Sequence, residues 1–187
     1  PTVNDTGGNN IKYASTDGPK RSIILTAGGT EIPSSNGAIQ GMVHSTNQSY
    51  YSLRYDANTD NSAFWHWTMP DSYDGGKIEI TYYWFTLMST SGDVVWCSQA
   101  VGIAPNANKS VDASLSAGSC VTDTAQSTAG TLASITKTQV ASNFAPGEYV
   151  AFKVYRDADA AGDTLAGGTY LLKVKIEYSV DQESDAD

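Results

Sequence analysis

The sequence predicts an all-β fold: a two-sheet antiparallel sandwich of jelly-roll type with an extended N-terminal arm. Three observations predict it. Short β-branched or aromatic segments recur along the chain, Gly, Pro, Asn and Asp punctuate them, and no segment of useful length carries a helical stripe. Several segments alternate apolar with polar side chains, as strands with one buried and one solvated face require. At 187 residues, 40% hydrophobic and 10% aromatic, the chain has apolar surface enough for one core.

Residues 1–20 are rich in Gly, Asn, Asp and Ser and have no apolar period, so an arm or loop is expected there. Ser22–Thr26 is the first strand, closed by Ala27-Gly28-Gly29-Thr30. Gly41–His44 follows the loop Pro33–Gly37, and Tyr50–Tyr55 and Ala63–Met69 are joined across the Asp and Asn residues of 56–61. The clearest alternation is Lys77–Phe85, where Ile78, Ile80, Tyr82 and Trp84 share a face. Val94–Val101 follows the turn Thr90–Asp93. Between Ala104 and Gly130 the residues are small and polar and place strands only loosely. Leu132–Val140 and Glu148–Arg156 are extended, the latter with Val150, Phe152 and Val154 on one face. Finally Leu172, Val174, Ile176 and Tyr178 alternate with Lys173, Lys175 and Glu177. Roughly eight to ten strands make one sandwich over 21–180, with an acidic tail at 181–187.

Charge narrows the function. With a net charge of −9 and scattered basic residues, a nucleic-acid partner is not expected, because phosphate binding needs clustered Lys and Arg. No apolar stretch is long enough to span a membrane. Charged residues make up only 17% of the chain, and a surface poor in long charged side chains loses little rotamer entropy on meeting a neighbour, which favours assembly. A chain opening on Pro1 is what trimming Met from Met-Pro leaves, so synthesis in the cytoplasm is expected, with a processed secretory start as the alternative. Of the two cysteines, Cys97 lies in an apolar run and reads as a small core residue rather than as half of a bridge to Cys120.

Catalysis has little to stand on. His44 and His66 are the only histidines, and neither lies in a recognisable motif. The carboxylates gather in turns, at Asp56 and Asp60, Asp71 and Asp74, and Asp157, Asp159 and Asp163, where Asp caps its own turn. Asp157, Asp159 and Asp163 also place hard oxygens in one loop, and calcium is the one cofactor they suggest, without EF-hand spacing. Consecutive aromatics cannot all point inward from a two-faced strand. Trp65, Trp67, Tyr83 and Phe85 are therefore candidates for a subunit interface or a glycan platform, with core packing the commoner use.

Seven segments carry a resemblance: Tyr55–Trp65; Met69–Gly76 with the Tyr-Trp strand and Ser91–Trp96; and Val154–Asp157 with Asp163–Leu165 and Leu171–Tyr178. Together they resemble a widespread group of uncharacterised proteins encoded in tailed-phage and environmental genomes, over about residues 50 to 180. The resemblance implies a virion-associated β-sandwich, most simply a capsid decoration or cement protein. Such a protein would be a homo-oligomer such as a trimer, would have the major capsid protein as partner, and would be made in the host cytoplasm and carried on the virion. No catalytic residue belongs to the pattern. The alternative expectation is a receptor- or carbohydrate-binding module of a tail fibre or secreted protein, or an extracellular filament subunit that uses strand addition.

Overall fold

A computed structural model describes residues 19–89 and 91–180. Ten strands follow in order: β1 (Lys20–Thr26), β2 (Ile39–His44), β3 (Ser49–Tyr55), β4 (Ser62–Thr68), β5 (Lys77–Thr86), β6 (Asp93–Ile103), β7 (Ser119–Thr124), β8 (Ala133–Ala141), β9 (Tyr149–Arg156) and β10 (Thr169–Ser179). A single 3-10 turn, Ala27–Gly29, follows β1. The arm expected over residues 1–20 lies outside the described residues except for Pro19 and Lys20, and the acidic tail lies wholly outside them.

The first sheet has the order β2-β3-β10-β5-β8 with β1 also on β10; the second is β4-β9-β6-β7. Every strand pair is antiparallel. From β3 onward the chain passes to the opposite sheet at nearly every connection, only β6 and β7 being successive neighbours in one sheet, and this crossing pattern makes the sandwich a jelly roll. Period-two alternation builds the core between the sheets. Ile78, Ile80, Tyr82 and Trp84 of β5 are all buried, facing Val150, Phe152 and Val154 of β9. Trp96 of β6 is the hub, edge-on to Tyr55 (5.1 Å) and Trp84 (6.0 Å) and stacked on Tyr82 (6.0 Å). The Trp84 indole donates across the sandwich to Asp123 of β7 at 2.8 Å.

Two features depart from the sequence reading. Antiparallel register sets Cys97 of β6 directly opposite Cys120 of β7, and the two form a disulfide. This corrects the expectation of an unpaired core cysteine: opposite positions bring Cβ atoms close enough to bond. The second departure is in β10. A register shift between Leu171 and Lys173 turns Leu171 inward, where it is fully buried, and leaves Leu172 half exposed. Leu172 therefore does not share the face of Val174, Ile176 and Tyr178, because a bulge reverses the side-chain parity of the strand before it.

The loop after β9 is held by a buried ion pair. Arg156, fully buried, donates to both oxygens of Asp163, at 2.8 Å from Nε and 2.6 Å from Nη2. Its other contacts are the carbonyls of Gly167 (2.7 Å) and Leu165 (2.5 Å), and Asp163 also accepts from the Val95 amide at 3.1 Å. The guanidinium thus gathers the 157–167 loop around one centre and ties it to β6.

Candidate functional site: an aromatic groove at the seam of the larger sheet

β10 changes partner part-way along its length. Its residues Thr169–Leu171 pair with β3, whereas Lys173–Ser179 pair with β1, so the bulge at Leu172 marks the changeover. Here β1 ends, the Ala27–Gly29 turn carries the chain away, and the part of β3 before Leu53 lies beside β2 alone. Sheet continuity is lost on one side of β10, and a groove of about 650 Å³ fills the gap. That volume falls in the range of small-ligand sites.

Its walls come from five parts of the chain. Tyr50, Tyr51 and Gln48 approach from β3 and the loop before it, Gly28 from the turn, Phe85 from β5, Leu132 from the approach to β8, and Leu172 with Lys173 from the bulge. Successive residues Tyr50 and Tyr51 leave β3 on opposite faces, yet both reach the groove because that half of the strand lacks a neighbour on the β10 side. Phe85 stacks on Tyr170 (5.0 Å, 14° between planes) and meets Tyr50 edge-on at 6.3 Å. Gly28 makes room: a Cβ there would lie 3.2 Å from the Tyr51 ring. Tyr51 is 45% exposed and Leu132 56%. Among the described residues Lys173 is the single charged residue of the lining, and its ammonium lies 4.8 Å from the centre of the Tyr83 ring.

Of the four aromatics singled out from sequence, only Phe85 lines this groove. Tyr83 is half buried on the outer face of the same sheet beneath Lys173. Trp65 is buried and donates its indole N–H to the Thr26 carbonyl at 2.9 Å, while Trp67 packs edge-on against Phe144 and Phe152. Both Trp side chains leave β4 on its inner face, which makes them packing residues and not a platform. The sequence reading passed over Tyr50, Tyr51, Gln48 and Lys173. A signal for the first three was present: residues 32–53 contain no Asp, Glu, Lys or Arg, an unusual run in a chain with a net charge of −9.

The three aspartates expected to share an ion do not stay together. Asp163 is committed to Arg156, with its side chain 1% exposed. Asp157 and Asp159 instead meet Asp60, all three within 4.8 Å of one another through a carboxylate oxygen, and Asp60 accepts from the Ala158 amide at 2.8 Å. Asp56 and Asp74 cap their own turns, accepting from the amides of Asn58 (3.0 Å) and Gly76 (2.7 Å). His66 lies 3.0 Å from Glu31 and parallel to Tyr149, and His44 lies 3.1 Å from the Ser49 hydroxyl.

Crowding leaves a mark on Asp157. Its carboxyl is pushed above the ordinary value of 3.8 by desolvation, then by a hydrogen bond with Asp159 and by repulsion from Asp60, Asp159 and Asp163. A carboxyl whose pKa is raised on folding is held more tightly as the acid in the native state. Its favourable share of stability is complete below the unfolded pKa and is lost as pH rises from there through the raised value. Asp157→Asn is therefore expected to raise the melting temperature at pH 7 and to leave it nearly unchanged at pH 3.5. Differential scanning calorimetry in EDTA checks this, and an effect equal at both pH values contradicts it. The same scans with millimolar calcium test the ion: a shift in the wild type that EDTA reverses and Asp157→Asn removes would place calcium on this cluster.

No family model matches the chain, and no curated protein matches it. Among solved structures, a family 35 carbohydrate-binding module from Clostridium thermocellum superposes with a TM-score of 0.49 at 13% identity, over 83% of this chain and 97% of that one. A xylan-binding domain of family 22 from Paenibacillus barcinonensis gives 0.49 at 10% identity over 84% and 99%. A carbohydrate-binding module of a Cellvibrio mixtus lichenase, in complex with cellotriose, gives 0.47 at 14% over 84% and 97%. The architecture of this chain rests on its own strand pairing.

Proposed function

We propose that this protein is a non-catalytic binding module whose seam groove takes a neutral carbohydrate. The observation that carries the proposal is the groove itself: Tyr50, Tyr51 and Phe85 around an open cleft of about 650 Å³. The exposed Tyr51 ring matches the apolar C–H face of a sugar ring, with Tyr50 and Phe85 beside it, while Gln48 and Lys173 offer donors to hydroxyls at the rim. Among the described residues its lining holds no Asp, Glu or His, the acid and base that glycoside hydrolysis needs. One wall derives from the charge-free run 32–53, which suits an uncharged ligand better than an acidic one. The groove favours the binding-module reading over the capsid-decoration role implied by the resemblance.

Binding to a glycan array, followed by calorimetry with a neutral oligosaccharide that binds, tests this. Tyr51→Ala is expected to weaken binding about tenfold without lowering the melting temperature, the loss of one exposed stacking face. Retention of full affinity by Tyr51→Ala, or the absence of any neutral glycan ligand, would sink the proposal.

A further inference from the structure

Sheet edges invite pairing with another chain, and most of the edges here are guarded. β4 is covered by the preceding segment, since Glu31 and Phe64 exchange backbone hydrogen bonds at 3.0 and 2.9 Å and Ala38 donates to Ser62 at 2.8 Å. β1 carries Lys20 and Arg21, β7 carries Asp123, and β8 carries Lys137 beside an irregular register. Charges, bulges and covering segments are the usual means of blocking an edge. Among the described residues, β2 has none of them. Its sequence, Ile39-Gln40-Gly41-Met42-Val43-His44, contains no Asp, Glu, Lys, Arg or Pro, and among the described residues it pairs with β3 alone. Ile39 is 61% exposed and Met42 46%, and space is open around Gly41.

We propose that β2 is the self-association edge of this protein, at which the β2 of a second copy pairs antiparallel across a two-fold axis and makes one continuous sheet. Charge identifies the occupant. Two copies, each with a net charge of −9, repel over most of their surfaces, whereas the run 32–53 has no charged residue and lets identical surfaces meet without that cost. An antiparallel strand paired with its own copy is self-complementary, so the contact closes at two subunits. Ile39 and Met42 supply the apolar contact, and the β2 main chain supplies the ladder.

Sedimentation velocity on the full chain, from about 1 µM to about 1 mM, tests this. A monomer–dimer equilibrium is expected, shifted toward dimer by added salt as screening removes the residual repulsion. The Ile39→Lys/Met42→Lys double variant is expected to weaken dimerisation about a hundredfold with an unchanged melting temperature, because both side chains are exposed in the monomer. Deletion of residues 1–18 is expected to leave the dimer intact. A wild-type chain monomeric throughout this range overturns the proposal, as does a dimer that the lysine variant retains. Loss of the dimer on deleting residues 1–18 overturns it too, by assigning the edge to that segment. Ile39 lies opposite Arg54 and away from the groove, so Ile39→Lys alone separates dimerisation from glycan binding, whereas Met42 lies across the ladder from Tyr51.

Discussion

Asp163→Ala is expected to cost roughly 3–5 kcal/mol of stability, the largest loss from any single carboxylate among the described residues, since it strands a buried guanidinium without its partner. Arg156 would keep the Gly167 and Leu165 carbonyls but lose both charge-assisted bonds, and the Val95 amide would lose its acceptor. Urea titration followed by tryptophan fluorescence reads the effect as a lower midpoint. The double variant Arg156→Met/Asp163→Leu separates the pair from its cost. Replacing both charges by apolar groups of similar size is expected to recover most of the loss, because the stranded charge and not the missing attraction dominates the single variant. A double variant no more stable than Asp163→Ala would show instead that the 157–167 loop needs those hydrogen bonds.

Opening the Cys97–Cys120 bond is the second large effect. The bridge closes a segment with a sequence separation of 23, for which chain-entropy arguments give about 3 kcal/mol. For a domain of this size that corresponds to a drop of roughly 10 °C in melting temperature. The Cys97→Ala/Cys120→Ala variant and the reduced wild type should fall together in thermal scans, and the variant should be indifferent to reductant. Disulfides persist in oxidising surroundings. Thiol labelling of protein recovered from a reducing cytoplasm and from an exported fraction should accordingly find the bond closed only in the second.

The strands were legible because alternation is a local property. Lys77–Phe85 declares its buried face within nine letters, and β5 has that face in the structure. Pairing is not local. Nothing near Cys97 announces that Cys120 lies opposite, because the intervening segment is small, polar and weakly patterned. The groove was hidden for a related reason: it arises where β10 exchanges β3 for β1, and the bulge that allows the exchange also reverses Leu172. Aromatic content pointed to Trp65 and Trp67, yet large rings on a strand are more often fill than platform, and the tyrosines within the charge-free run were the better guide. Arg156 and Asp163, two of the positions that carry the resemblance to phage and environmental proteins, prove to be partners in one buried pair.

β10 pairs with β1, β3 and β5, and it is the last strand of the ten. Lys20 finds its partner at Ser179, so the first and last strands of the described chain must meet before the larger sheet exists. A nascent chain leaving the ribosome has every other strand of that sheet in hand but no central strand to join them. Closure of the larger sheet must therefore wait until β10 has emerged, and loop-closure entropy over nearly the whole domain makes the docking step slow. Until then the apolar faces of β3 and β5 stand open, and that interval is when a chaperone or a neighbouring nascent chain would find them.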